Sequence, residues 1–129
     1  MTHKKHKKFS VKKRLLSFKY AFRGIGFMIQ TQHNARIHLI ATIIVIFLGV
    51  TLKVSLTEWC LLIFAIGIVL SSELFNTSIE FLTDLLSPEY QKRAGMVKDI
   101  AAGAMLISAI TSAIIGLIVF LPRVIHFIS

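Results

Sequence analysis

The sequence predicts an all-α integral membrane protein: an N-terminal amphipathic surface helix followed by three transmembrane helices. Three observations carry that prediction. Of the 129 residues, 55% are apolar, and the mean hydropathy is +0.75. A soluble domain of this size has no interior large enough to hide so much apolar surface. Three apolar runs, at about 37–53, 57–86 and 97–121, approach or exceed the ~20 residues that a helical span requires. The basic residues are crowded at one end, with ten of the fifteen Lys and Arg preceding Ile37.

Residues 1–10 form a polar, Lys- and His-rich tail, expected to be disordered. Residues 11–129 read as a single membrane domain. Between Val11 and Ile29, the residues Leu15, Phe18, Phe22, Ile25 and Ile29 recur at helical spacing, within roughly 80° of one another. Lys12, Lys19, Arg23 and Gln30 occupy another sector, as in a helix lying in the membrane interface. The apolar runs that follow disfavour a helix packed on a soluble core. Gly24 and Gly26 weaken the helix locally.

The first span, 37–53, is short. Arg36 and Lys53 snorkel at its ends, and His38 is expected at an interface. The second, 57–86, is longer than a bilayer needs, so its end carrying Glu80 and Asp84 leaves the hydrocarbon. Trp59 suits an interface at its start. A polar loop over 87–95 precedes the third span, 97–121, which is expected to stop at Pro122-Arg123. Basic residues favour the cytoplasmic side. The N-terminus, the 87–95 loop and the acidic end of the second span are therefore expected in the cytoplasm of a multi-pass protein of the bacterial cytoplasmic membrane.

Several function classes fall away. Anionic lipid is a sufficient partner for a basic segment beside membrane spans, so no nucleic acid is expected. The basic stretch is too long for a signal peptide and lacks a cleavage site. Cys60 is the lone cysteine, so no intramolecular disulfide exists. There is no Gly-rich phosphate loop. The five His residues lack metal-ligand spacing. Ser71 and Ser72 have no His placed to activate them.

What remains is an acidic stripe. On a helix, Glu73, Asn76, Glu80 and Asp84 fall at roughly 0°, 300°, 340° and 20°, one narrow face with Thr77 beside it. A charge at bilayer depth costs roughly 2.5–3.5 kcal/mol on cautious scales, so the stripe points into a protein or water interior. Ala101, Ala102, Gly103 and Ala104 permit close helix approach, which would bring Lys98 and Asp99 near it. Two chemistries suit such a set. One is phosphoryl transfer to a lipid alcohol, with carboxylates holding Mg²⁺, a Lys on phosphate and a carboxylate as general base. The other is ion or proton translocation. The residues by themselves leave both open.

The run Glu73-Leu-Phe-Asn76-Thr77-Ser-Ile-Glu80, then Asp84, then Lys98-Asp99-Ile-Ala-Ala-Gly103-Ala resembles the signature of the small prokaryotic diacylglycerol kinases, whose Gram-positive branch is known as undecaprenol kinases. The likeness covers nearly the whole chain, including Phe18-Lys-Tyr20-Ala-Phe-Arg23-Gly24-Ile and the Phe120-Leu-Pro122 end. It implies an ATP- and Mg²⁺-dependent kinase for a membrane lipid alcohol, undecaprenol or diacylglycerol, assembled as a homotrimer whose active sites are completed by neighbouring subunits. It implies Glu73 as catalytic base and Glu80 as a metal ligand, with Asn76 at the phosphoryl-transfer centre. Nucleotide contacts are implied at Tyr20, Glu89, Tyr90, Gln91, Lys98 and Asp99, and a substrate or nucleotide contact at Lys13. One departure stands out. Family members usually carry a second metal-binding Glu just before the first span, where this chain has Gln32. A Gln carbonyl ligates Mg²⁺ but brings no charge, so weakened catalysis is the alternative the departure raises.

Overall fold

The computed structural model describes residues 8–129 as four helices; most of the tail expected over 1–10 lies outside the described residues. Helix α1, Val11–Thr31, opens on Ser10, whose side chain accepts from the Lys13 backbone N–H at 3.5 Å. It runs unbroken through Gly24 and Gly26. Leu15, Phe18 and Phe22 stay exposed along it, as a membrane-surface face requires.

Helix α2, His33–Thr51, begins four residues earlier than expected. Only Gln32, in extended conformation, separates it from α1. Arg36 makes so short an elbow workable. Its guanidinium donates to the Ile29 carbonyl at 2.9 Å and to the Gln30 carbonyl. These belong to the last turn of α1, where carbonyls lack intrahelical partners and the helix dipole favours a cation.

Helix α3, Leu56–Leu86, starts with a capping box: Ser55 accepts from the Glu58 N–H, and the Glu58 carboxylate accepts from the Ser55 N–H. The turn before it uses Lys53 at φ 53°. Helix α4, Lys92–Ile128, does not stop at Pro122. Proline removes one helical donor, but the next residue is anchored. Arg123 pairs with Glu58 and donates to the carbonyls of Leu52 and Lys53, holding the last turns against the α2–α3 connection.

At 1.5 Å per residue, α2 is about 28 Å long, α3 about 46 Å and α4 about 55 Å, against ~30 Å of hydrocarbon. All three are long and apolar enough to cross a membrane. Helices α3 and α4 are longer than the hydrocarbon alone requires. These two helices form an antiparallel hairpin, cross-linked from end to end by Asp84–Lys98, Ser72–Ser108, Ala65–Ser112 and Glu58–Arg123.

The core lies near the turn between α2 and α3. Val54, Leu62 and Val119 are buried there, with Val45, Trp59, Ile115 and Phe120 around them. Trp59, expected only as an interfacial anchor, packs its ring on Gly49, where an added Cβ would lie 2.6 Å from the ring. At the other end, the ring of Phe27 of α1 meets that of Phe81 of α3 tilted by 47°, with centroids 5.3 Å apart, and the neighbouring Met28 is buried. The surface helix thus docks by its C-terminal end.

Candidate active site

The acidic stripe is graded in depth along α3. Glu73 is 1% exposed and Thr77 5%, whereas Asn76 and Glu80 are half-buried and Asp84 is exposed. Glu73 lies about 26 Å along the helix from Leu56, near the far edge of a ~30 Å hydrocarbon layer. Glu80 and Asp84 lie about 36 and 42 Å along the helix, farther than that thickness. The sequence placed Thr77 beside this face, and the fold buries it within.

The buried part of the stripe is short of partners. Oε2 of Glu73, Oδ1 of Asn76 and Oγ1 of Thr77 are buried without a hydrogen bond. Buried polar atoms are seldom left so, and three on one helix face within two turns mark a place built for something else to bind. Asn76 Nδ2 donates to Glu80 Oε1 at 3.3 Å, which turns the amide oxygen of Asn76 away from the carboxylate.

A residue that sequence reasoning assigned to an interface completes this cluster. His38 of α2 is half-buried, and its Nε2 lies 4.0 Å from Glu73 Oε2. The signal that points to it is its isolation: between Ile37 and Leu52 it is the one titratable side chain in the first span. Sequence periodicity within one helix gave no means of pairing it with Glu73 on another.

Further along, Lys98 does reach the stripe, meeting Asp84 at 2.5 Å. Asp99, expected to approach with it, is exposed; consecutive residues on a helix point about 100° apart, so only one of the two faces α3. A cavity of about 320 Å³ lies beside this pair, lined by Asp84, Glu89, Tyr90, Gln91 and Lys98 among others. The loop thereby gathers four of the six residues expected at nucleotide. The other two, Tyr20 and Asp99, do not line it. Tyr20 is exposed on α1 with the Arg23 guanidinium 5.6 Å from its ring centre. Lys13 is exposed in the first turn of the same helix, about 28 Å along it from Gln32.

For a metal, the donor chemistry fits a hard cation. The Glu80 carboxylate is an oxygen donor, whereas Asn76 presents its Nδ2 to that carboxylate and its Oδ1 elsewhere, and Mg²⁺ is held by one or two carboxylates together with substrate phosphates rather than by an all-protein cage. The described residues contain no group of three or more His, Cys, Asp or Glu able to hold a metal alone. Gln32 sits at the α1–α2 elbow, where its side-chain amide donates to Thr31 Oγ1 at 3.5 Å.

The family model described as prokaryotic diacylglycerol kinase matches residues 19–120. An undecaprenol kinase of Bacillus subtilis is 39% identical over 107 residues, covering 83% of this chain and 87% of that protein. A diacylglycerol kinase of a Synechocystis species is 36% identical over 84% of this chain and 62% of its own. A diacylglycerol kinase of Escherichia coli is 26% identical over 74% of this chain and 78% of its own. The family match covers most of the chain, from the second half of α1 through α2, α3 and most of α4 and including the whole stripe, so the chain belongs to the prokaryotic diacylglycerol kinase family and is a membrane lipid kinase.

Proposed function

We propose that this kinase moves the γ-phosphoryl group of ATP, as its Mg²⁺ complex, onto the hydroxyl of undecaprenol, with diacylglycerol as the alternative acceptor. The observation that carries this reading is the graded stripe. Its buried end, with three unpartnered polar atoms, lies at the depth where a lipid hydroxyl arrives, and its exposed end meets a polar loop cavity suited to a nucleotide. The 39% identity to an undecaprenol kinase favours undecaprenol.

In this reading Glu73 is the general base. It accepts the hydroxyl proton as the alcohol oxygen bonds to the γ-phosphorus and ADP leaves with the electron pair of the broken bond. Such transfer relies on positioning and charge neutralisation more than on covalent chemistry. Glu80 would hold Mg²⁺ together with substrate phosphates and Gln32 would add a neutral oxygen, the ion supplying charge neutralisation, while Asn76 stands at the phosphoryl-transfer centre. Lys98 meets phosphate oxygens, while Glu89, Tyr90, Gln91, Asp99 and Tyr20 contact the nucleotide and Lys13 the substrate or nucleotide. The N-terminus and site face the cytoplasm, the basic face of α1 rests on anionic lipid, and three copies assemble so that neighbouring subunits complete each site.

The test is to supply purified protein with γ-labelled ATP, Mg²⁺ and each lipid in mixed micelles. Label should enter undecaprenol faster than diacylglycerol. No label in either lipid, with dissipation of a proton gradient by reconstituted protein, would replace this reading with translocation.

A further inference from the structure

The His38–Glu73 pair has an unusual spacing. Nε2 of His38 and Oε2 of Glu73 are 4.0 Å apart, too far for a hydrogen bond and too close for an idle gap between polar groups. Glu73 Oε2 is buried with no partner. An oxygen placed off the line between them would make two bonds of about 2.8 Å, meeting at roughly a right angle.

The surroundings limit what that oxygen belongs to. His38 also lines a cleft of about 260 Å³ between α2, α3 and α4, with Val45, Leu62, Ala65, Val69 and Ala113 in its walls. The two hydroxyls in that wall are already committed: Thr42 donates to the His38 carbonyl at 2.8 Å and Ser112 to the Ala65 carbonyl at 3.0 Å. A slot with no free donor receives hydrocarbon. A ligand with one polar oxygen at the end of an apolar chain fits both parts, its oxygen at the His38–Glu73 gap and its first carbons in the slot.

We propose that the gap between His38 and Glu73 is the seat of the acceptor hydroxyl, making His38 a further catalytic residue. The hydroxyl oxygen accepts from His38 Nε2–H and donates its hydrogen to Glu73 Oε2. On transfer the proton passes to Glu73 as the new oxygen–phosphorus bond forms and the bond from the γ-phosphorus to the bridging oxygen breaks, ADP leaving with its electron pair, while His38 holds the attacking oxygen in line. This assignment rests on the lipid-kinase reading above.

The test compares wild type, His38→Ala and His38→Gln in mixed micelles, with a polyprenol and Mg²⁺-ATP varied separately. Glutamine keeps an N–H donor at similar reach. His38→Ala should lower kcat/KM for the alcohol about 10- to 100-fold, the scale of one lost hydrogen bond at a buried charged group. The KM for ATP should stay within about twofold of wild type, and His38→Gln should recover part of the loss. Wild-type kcat/KM for the alcohol in His38→Ala, or a loss shared equally with the ATP KM, would overturn the seat while leaving the kinase reading intact. A wild-type protein that phosphorylates no lipid alcohol would overturn both. If His38→Ala fails to fold, the imidazole ¹⁵N resonances of wild type decide: a shift of His38 on adding polyprenol without nucleotide supports the seat, and no shift overturns it.

Discussion

Exchanging Glu73 for methionine should make this protein more stable and catalytically dead. Glu73 is 1% exposed, and its Oε2 has no hydrogen-bond partner. Leaving a buried polar group unsatisfied costs about 1–3 kcal/mol. Replacing a whole buried ion pair with apolar residues of similar volume is often neutral or stabilising by roughly 1–4 kcal/mol, and His38, at 4.0 Å, makes no hydrogen bond to Glu73 that the exchange would break. Methionine matches the length and flexibility of glutamate, so it leaves little cavity and forces little strain. The net expectation for Glu73→Met is a gain of about 1–3 kcal/mol. For a chain of this size each kcal/mol raises Tm by roughly 3–5 °C. Thermal unfolding in a single detergent, wild type beside variant, measures the shift. A Tm lowered by a similar amount would refute the reasoning, because Glu73 would then be supporting the fold. A raised Tm with lost phosphorylation is the signature of a residue retained for chemistry at the expense of stability.

Three further outcomes follow from the geometry. Gly49→Ala places a Cβ 2.6 Å from the Trp59 ring, so thermal unfolding should show a loss of about 1–3 kcal/mol, largely restored by adding Trp59→Leu; an unchanged Tm would mean the two helices do not meet there. Lys98→Met removes the cation beside the loop cavity and should raise the KM for ATP about tenfold with a smaller effect on kcat; an unchanged KM would remove Lys98 from the nucleotide. Gln32→Glu should lower the Mg²⁺ concentration for half-maximal rate and Glu80→Gln should raise it, since anionic ligands hold a hard cation better; a Gln32→Glu variant with wild-type Mg²⁺ dependence would place Gln32 away from the metal.

Much of this molecule is legible in its sequence because a membrane restricts the choices. Backbone polar groups must be satisfied within helices, so three apolar runs become three helices, and a stripe of Glu73, Asn76 and Glu80 can only be read along one helix face. What escaped is what depends on two helices at once. His38 looked interfacial because nothing in α2 alone places it against Glu73. Trp59 looked like a membrane anchor because its packing on Gly49 joins residues on different helices. Pro122 looked like a stop because the ion pair that carries α4 onward, Arg123 with Glu58, links the ends of separate spans. Asp99 was grouped with Lys98 by sequence adjacency, although a helix turns neighbours to different faces. The elbow at Gln32 follows the same rule, held by Arg36 reaching back across it to α1.

In the proposed reaction, Glu73 takes the proton from a lipid hydroxyl during phosphoryl transfer. Glu73→Gln keeps the shape and removes the base, so the most direct measurement is the rate at which label from γ-labelled ATP enters undecaprenol, for wild type and Glu73→Gln under saturating ATP, Mg²⁺ and lipid. The account predicts rapid labelling by wild type and a rate lower by about 10²–10⁴ in the variant, the usual contribution of a general base. Labelling by Glu73→Gln within about threefold of wild type, far short of that contribution, would contradict it.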